Sequence, residues 1–201
     1  MRWLKFGALA LLTSCASNSP RAGKSVGYTT DLFIPISFLE NKSHLAMNVN
    51  QPPVQKIQKS IEADLQEPLK TRGESHITII NPIEYEKLKT YLPIEKINEL
   101  ARGASVQQAS FKPICLGRGH LQIEGREEST YFIVVESEDL LKLRFNIKEA
   151  FVAAGGASKD FDEKLYFPHI TIGFTKRDLH FEDGIIKNKT SCWKDLVLES
   201  R

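Results

Sequence analysis

The sequence has few of the residues that mark metal-binding, disulfide-rich or membrane-spanning proteins. Its 201 residues include 3 cysteines, 2 methionines and 2 tryptophans. The cysteines show no C-x-x-C spacing, which argues against both a zinc site and a redox pair. The apolar run at residues 6–12 is far too short to cross a bilayer as a helix. Hydrophobic residues at 41% and charged residues at 26% are typical of a soluble globular domain.

The chain also has almost no excess of charge of one sign. It carries 27 Lys+Arg against 25 Asp+Glu, a formal net charge of +2. Removing the first 14 residues, which contain Arg2 and Lys5 and no acidic residue, brings this charge to 0. A neutral domain is not built to bind long polyanions, because that mode of binding needs many phosphate contacts. We therefore expect any phosphate ligand to be small or held locally.

The N-terminus has the features of a targeting segment. Arg2 and Lys5 precede the apolar run, and Leu-Thr-Ser-Cys follows it at residues 12–15. This ending resembles a bacterial lipobox, which implies cleavage before Cys15 and acylation of that cysteine. Ala16 at the next position then implies export to the periplasmic face of the outer membrane. The alternative is a plain secretory signal with an incidental cysteine.

These features predict three parts of the chain. Residues 1–14 form a lipoprotein signal peptide, residues 15–30 a flexible tether, and residues 31–201 one domain, which we expect to be a monomer. An oxidising periplasm would permit a disulfide between Cys115 and Cys192. The sequence does not favour that disulfide, because Cys115 lies in a predicted strand.

Apolar runs alternate with helix signals along the chain in two halves. The predicted elements are a strand at 31–38, a helix at 53–65, a strand at 75–80, a helix from 81 interrupted near 93, strand-like residues at 110–123 broken by Gly117 and Gly119, a strand at 130–136, a helix at 137–154, a strand at 165–174, and a strand or short helix at 193–198. This order predicts an α+β fold. We expect two pseudo-symmetric lobes of mostly antiparallel sheet, with helices packed outside and a groove between them.

One tetrapeptide, His-Ile-Thr-Ile, occurs twice, at 76–79 and at 169–172, each time inside an apolar run. In an extended chain alternate side chains share a face and lie about 6.6 Å apart, so the His and Thr of each copy can reach one small group. We expect the two copies to lie side by side and to present His76, Thr78, His169 and Thr171 to one cleft. The alternative is two ordinary strands whose histidines bond to neighbouring backbone groups.

This repeat resembles the two-histidine (2H) phosphoesterase superfamily, which includes cyclic nucleotide phosphodiesterases and bacterial 2′,5′ RNA ligase-like enzymes. The resemblance covers residues 31–174 and is strongest at 168–173. It implies a water-filled groove between two α+β lobes, with His76, Thr78, His169 and Thr171 as the catalytic residues. In RNA-handling members a positive residue often follows the second motif, whereas here three residues intervene before Lys176. That departure leaves the phosphate-binding cation open.

Histidine and threonine suit the hydrolysis of a cyclic phosphodiester. Histidine can both accept and donate a proton near neutral pH, because its unperturbed pKa is about 6.5. Two opposed imidazoles can therefore take a proton from water and protonate the departing ribose oxygen. Threonine hydroxyls on the same faces can donate to the non-bridging oxygens without a metal. The sequence does not say which histidine is the acid and which the base.

Other candidates are weaker. Tyr166 and Phe174 flank the second motif and could stack on a base, with core packing as the alternative. No cofactor is expected, and no metal, because the histidine pairs lack the spacing and the nearby carboxylates of a metal site. The remaining histidines and three cations are expected in surface or structural roles: His44, His120, His180, Arg118, Lys176 and Arg177.

The sequence thus predicts a metal-independent phosphodiesterase acting on a 2′,3′-cyclic or 2′-5′ linkage of a nucleotide or short RNA, anchored by lipid in the cell envelope. Two alternatives stay open. One is a non-catalytic binder of a phosphorylated ligand that keeps the groove. The other is a structural envelope lipoprotein in which the repeat is accidental.

Overall fold

A computed structural model describes residues 25–199, so the predicted signal peptide and Cys15 lie outside the described residues. Its strands are β1 (Val26–Tyr28), β2 (Leu45–Asn48), β3 (His76–Ile80), β4 (Lys112–Ile123), β5 (Arg126–Glu136), β6 (His169–Phe174) and β7 (Cys192–Leu198). Its α-helices are α1 (Gln51–Leu65), α2 (Pro82–Leu88), α3 (Ile94–Gly103) and α4 (Glu138–Ala153). Within residues 25–199 no helix is both long enough and apolar enough to span a membrane. The predicted α+β class is confirmed.

The strands form one sheet in the order β1-β7-β4-β5-β6-β3-β2. All neighbours are antiparallel except β1 and β7, which are parallel. The two halves of the chain meet where β3 lies beside β6, through the single pair Ile77 and Ile170. The two strands that carry the repeated tetrapeptide are therefore neighbours at the junction of the halves.

All four helices pack on one face of this sheet. Alternation sends Ile77 and Ile79 of β3, and Ile170 and Ile172 of β6, into the main core, where they are at most 2% exposed. Ile57 of α1 and the apolar residues of α2, α3 and α4 meet them there. The same alternation turns the histidines and threonines to the opposite face, as the sequence predicts.

Most helix boundaries follow the sequence signals. Asn81 and Glu84 form a capping box at the start of α2, and the Ser137 side chain accepts from the backbone N–H of Leu140 at the start of α4. Pro93 is the N-cap of α3, five residues after α2 ends at Leu88. These local signals fix where the helices begin, and thereby the lengths of the connections between strands.

The predicted first strand at 31–38 is wrong. Residues 30–33 form a 3-10 helix and residues 34–44 form no strand, because Pro35 and its neighbours run without a sheet partner. The first strand is instead β1, inside the predicted flexible tether. Val26 is buried there and β1 pairs with β7, so the folded domain begins before Asp31.

Gly117 and Gly119 do not break β4, which is one continuous strand with no hairpin corner, but its register with β7 shifts between Leu116 and Gly117, in agreement with the bulge that the sequence suggests. A Cβ atom at Gly117 would lie 2.3 Å from the ring of Phe132, and one at Gly119 would lie 2.3 Å from Cγ2 of Ile185. The glycines are therefore needed for close packing on the polar face of the sheet.

A disulfide joins Cys115 of β4 to Cys192 at the start of β7, with Cα atoms 5.7 Å apart. The sequence did not favour this bond, because a cysteine within a strand gives no sign of its partner. β4 and β7 are neighbours in the sheet, and that pairing brings the two cysteines together. The bond closes a loop whose ends are 77 residues apart in sequence.

Arg144 of α4 is 1% exposed and connects the end of β3 to the segment that precedes β6. Its guanidinium donates to both carboxylate oxygens of Glu84, at 2.8 and 3.1 Å, and to the carbonyl of Ile79 at 2.5 Å. It also donates to backbone carbonyls within residues 162–165. The ring of Tyr166 lies 4.7 Å from its Cζ. One buried cation thus fixes the segment before β6 against the end of β3.

Replacing this guanidinium should therefore destabilise the fold strongly. Arg144→Met leaves Glu84 and several buried carbonyls without their donor, and we expect a loss of about 3–5 kcal/mol in the free energy of unfolding. Urea denaturation at pH 7 measures this loss. The matched control is Arg102→Met, which breaks an exposed pair with Glu40 and should cost less than about 1 kcal/mol. Equal losses for both variants would contradict the role assigned to Arg144.

Candidate active site

The two His-Thr pairs lie on neighbouring strands and line the same cavity. Because Ile77 is opposite Ile170 in an antiparallel pair, the register places His76 opposite Thr171 and Thr78 opposite His169. Each imidazole therefore lies across from the hydroxyl of the other strand, and the two histidines occupy diagonal corners. In a regular antiparallel ladder such diagonal Cα atoms are about 8 Å apart.

The cavity has a volume of about 740 Å³, within the range of small-molecule sites. It extends from the histidines along α1 on one side and towards Tyr166 and Ile83 on the other. Within residues 25–199 no three His, Cys, Asp or Glu side chains converge as ligands of a metal ion. The size of the cavity suits a nucleotide or the end of a short oligonucleotide.

His169 is held in one orientation by hydrogen bonds at both ring nitrogens. Its Nδ1 lies 2.8 Å from the carbonyl of Phe167, which can only accept, so Nδ1 carries the proton. Its Nε2 lies 3.3 Å from Nζ of Lys187 and accepts from that ammonium. Burial and the Lys187 charge lower the pKa of His169 well below its ordinary value, although the Phe167 carbonyl and Asp178 oppose them. His169 is therefore neutral, with its proton on Nδ1 and the lone pair of Nε2 directed at Lys187.

His76 has a different environment. Its Nδ1 lies 3.6 Å from a carboxylate oxygen of Glu74, and its ring centroid lies 6.4 Å from that of His44. Burial lowers the pKa of His76, and the Glu74 carboxylate partly offsets this by favouring the protonated ring. Of the two histidines, His76 is thus the one with a carboxylate beside it that supports a positive charge.

Asp178, four residues beyond β6, is the centre of the polar contacts. Its Oδ1 accepts from Nζ of Lys187 at 2.9 Å and from the hydroxyl of Thr130 at 2.8 Å. Its Oδ2 accepts from Arg72 and from the hydroxyl of Thr171, both at 3.3 Å. Burial opposes ionisation, but the charge and hydrogen bond of Lys187 hold the pKa of Asp178 below its ordinary value. This carboxylate fixes two cations and one of the motif threonines at the cavity.

Sequence reasoning missed several polar residues that line the cavity, among them His44, Arg72, Asp178, His180 and Lys187. His44 and His180 were expected in surface or structural roles; His180 is exposed and His44 is half-buried, and both also line the cavity. Asp178 could have been found, since it follows the second motif within a few residues. Lys187 carries no such signal, because a lysine in an irregular segment looks the same whether it is buried or exposed.

The two aromatic candidates behave differently. Tyr166 lines the cavity, but its ring also packs on Arg144, and its hydroxyl has no hydrogen-bond partner among the described residues. Burial raises the pKa of Tyr166 above its ordinary range. Phe174 does not line the cavity, and its backbone pairs with Lys70 instead. The predicted stacking role of Phe174 is therefore not supported by its position.

The three surface cations lie where the sequence reasoning placed them. Arg118 pairs with Glu127, and none of Arg118, Lys176 and Arg177 lines the cavity. Lys176 and Arg177 pair with carboxylates elsewhere on the surface. The cations that line the cavity are instead Arg72, Lys87, Arg144 and Lys187, and of these Arg72 and Lys187 contact Asp178.

Two histidines, each followed two residues later by a threonine, on neighbouring strands that line one cavity, define a phosphoesterase type of site. A family model described as Swiss Army Knife, 2H phosphoesterase domain, matches residues 44–180, which is 137 of 201 residues (180 − 44 + 1 = 137). The chain belongs to this 2H phosphoesterase family, whose chemistry is phosphoester hydrolysis or transfer. No curated protein and no solved structure matches the chain at a significant level.

The lowered pKa of His169 predicts a pH dependence of stability. The unfolded chain, where imidazole has a pKa of about 6.5, binds a proton below that pH while folded His169 does not. Stability should therefore fall as the pH decreases from 7 to 5 and stay level above about pH 7. Between pH 7 and pH 5 the free energy of unfolding of His169→Gln should fall by about 1–2 kcal/mol less than that of the wild type, as measured by urea denaturation. Equal losses for the two proteins would show that folded His169 is protonated like the unfolded chain.

Proposed function

We propose that the protein is a metal-independent phosphodiesterase that hydrolyses a 2′,3′-cyclic or 2′-5′ phosphodiester by acid–base catalysis with His76 and His169. The pairing of Ile77 with Ile170 supports this most directly, because it brings both His-Thr pairs to one cavity. Membership of the 2H phosphoesterase family supports the reaction class. The linkage and the roles of the individual residues are our proposal.

In the proposed reaction His169 is the general base and His76 the general acid. Nε2 of the neutral His169 ring leaves the Lys187 ammonium and takes a proton from the attacking water, whose oxygen forms a new P–O bond. His76, supported by Glu74, gives a proton to the ribose oxygen as its bond to phosphorus breaks. The two diagonal positions allow the base and the acid to act on opposite sides of one phosphorus atom.

The threonine hydroxyls and the two cations stabilise the charge that develops on the phosphate. Thr78 lines the cavity beside the histidines and can donate to a non-bridging oxygen, whereas the Thr171 hydroxyl must first turn its one hydrogen away from Asp178 to do the same. Arg72 reaches the same space, with its guanidinium 3.3 Å from Asp178. The two cations fixed in advance by Asp178 need little rearrangement when substrate binds.

The cavity also limits the substrate. Its volume of about 740 Å³ accommodates a nucleotide with part of a neighbour, and the mature chain has no excess of positive charge to hold a long polyanion. We therefore propose cyclic mononucleotides, 2′-5′ linked dinucleotides and the ends of short RNAs as substrates.

Loss of either histidine should nearly abolish hydrolysis. His76→Ala and His169→Ala are each expected to lower kcat/KM on 2′,3′-cyclic nucleotides by about 10²–10⁴-fold, because each removes one proton transfer. Thr78→Val and Thr171→Val should cause smaller losses. The assay runs with excess chelator, and wild-type activity is expected to be unaffected by it.

The matched control is His120→Ala, which removes an exposed histidine that does not line the cavity and should keep full activity. Activity that persists in both His76→Ala and His169→Ala, or that chelator removes from the wild type, would overturn the proposed mechanism. Tight binding of a cyclic nucleotide without turnover would favour the non-catalytic binder instead.

We also propose that the protein works in the cell envelope, anchored by lipid at Cys15. Two observations support this: the lipobox-like residues 12–15, and the disulfide between Cys115 and Cys192, which is typical of oxidising compartments. The lipid would keep the domain at the membrane surface.

Substitution of the acylated cysteine tests this location. In a bacterial host, Cys15→Ser should abolish incorporation of labelled palmitate and move the protein from the membrane to the soluble fraction. Cys115→Ser serves as the control, because it removes a cysteine that lies inside the fold and should leave palmitate labelling intact. Unchanged labelling of Cys15→Ser would contradict acylation at this residue.

A further inference from the structure

The segment between β6 and β7, residues 175–191, carries a buried lysine that belongs to the site. Lys187 is 3% exposed, and it lies beyond residue 180, where the family match ends. The segment is fixed at two points on the polar face of the sheet. The disulfide holds Cys192 to β4, and Ile185 packs against Gly119. Lys187 therefore lies in a segment beyond the matched residues that is held to β4 within them.

The ammonium of Lys187 contacts two groups at the cavity. It donates to Asp178 at 2.9 Å and to Nε2 of His169 at 3.3 Å, and it lies 5.3 Å from the ring centroid of Phe132. An ammonium has three N–H donors. Among the described residues these two acceptors account for two of them, and the side chain lines the cavity. The third donor is thus available for an oxygen atom of a ligand.

The charges around Lys187 favour an anion. Lys187 and Arg72 both contact Asp178, so these three residues together carry one positive charge. A phosphodiester carries one negative charge. Because Lys187 is almost completely buried, its attraction for an anion is screened less than that of a surface lysine. The cluster therefore has the charge and the donors to hold a phosphodiester beside His169.

We propose that Lys187 binds a non-bridging oxygen of the substrate phosphate through its third N–H donor, and that its contact with Nε2 of His169 positions the general base. A cation from this segment takes the place of the positive residue that the second motif lacks. The inference deepens the proposed function, and depends on it only for the identity of the ester. Before substrate binds, this contact holds the ring of His169; when the ammonium turns that donor to the phosphate as well, Nε2 of His169 becomes free to accept the proton of water.

Titration with inorganic phosphate, followed by calorimetry, tests the binding role without any turnover. We expect Lys187→Met to raise the Kd for phosphate at least tenfold. The matched control is Lys189→Met. Lys189 lies two residues further along, carries the same charge, and has an exposed side chain paired with Glu136. The Kd of this control for phosphate should stay within twofold of the wild-type value. A wild type that binds no phosphate, or a folded Lys187→Met with unchanged affinity, would overturn the proposal.

Lys187→Met leaves the buried Asp178 without its closest cation, which destabilises the fold. A second variant therefore tests the same donor without leaving that carboxylate unpaired. The double variant Lys187→Met with Asp178→Asn removes both charges of the pair and should also bind phosphate at least tenfold more weakly. Unchanged phosphate affinity in this folded double variant would likewise overturn the proposal.

A separate measurement, NMR titration, tests the contact between Lys187 and His169. The Lys187 charge lowers the pKa of His169, together with burial and His180, while Asp178 and the Phe167 carbonyl raise it. NMR titration should therefore show the pKa of His169 moving upward in Lys187→Met and staying in place in Lys189→Met. A merely structural role for Lys187 would leave that titration unchanged.

These readouts separate the two proposals. If the wild type binds phosphate through Lys187 but hydrolyses no phosphodiester, the proposed function fails while the role of Lys187 in binding stands. If hydrolysis proceeds and phosphate affinity does not depend on Lys187, the proposed function stands and this inference fails.

Discussion

The contact between β3 and β6 is the constraint on which the rest of the structure depends. Only Ile77 and Ile170 pair directly, so the two strands need support on either side of that point. At one end Arg144 connects the carbonyl of Ile79 to the segment before β6. At the other end Arg72, before β3, pairs with Asp178, after β6. Two arginines thus hold a narrow junction at which both histidines meet.

The two faces of the sheet differ in the side chains they carry. The helix-covered face contains nearly all of the buried apolar residues and accounts for stability. The opposite face has only a small apolar cluster around Cys115, Phe132 and Val134, and carries the polar residues of the cavity. Burying Asp178 and Lys187 there costs desolvation, which the charge and hydrogen bond of Lys187 outweigh in the pKa of Asp178 and which Asp178 only partly offsets in the pKa of Lys187. Apolar residues at these positions would avoid that cost, which is consistent with the role proposed for the pair.

The sequence predicted what depends on local pattern. Alternation placed His76 and Thr78 on one face, and capping residues such as Asn81 placed the helix starts, because both effects act over a few residues. The sequence did not predict contacts between residues that are far apart along the chain. Nothing near Lys187 indicates burial. Arg144 lies within the apolar stripe of α4, four residues after Leu140 and three before Ile147, but the sequence does not identify its distant partners.

The errors have similar physical causes. The run at 31–38 is apolar enough for a strand, but it finds no sheet partner and Pro35 interrupts it. Val26–Tyr28 is too short to stand out in a sequence and forms a strand because β7 is available to pair with it. The cysteines pair because β4 and β7 are neighbours, which only the topology determines.

The central claim is that both imidazoles act on one phosphorus atom. The most direct measurement is a crystal structure of the protein with a nucleoside vanadate, which mimics the five-coordinate state of the reaction. We predict vanadium between the two motifs, with Nε2 of His76 and Nε2 of His169 each within hydrogen-bonding distance of apical oxygens on opposite sides. Vanadate that contacts only one histidine, or that binds outside this cavity, would contradict the account.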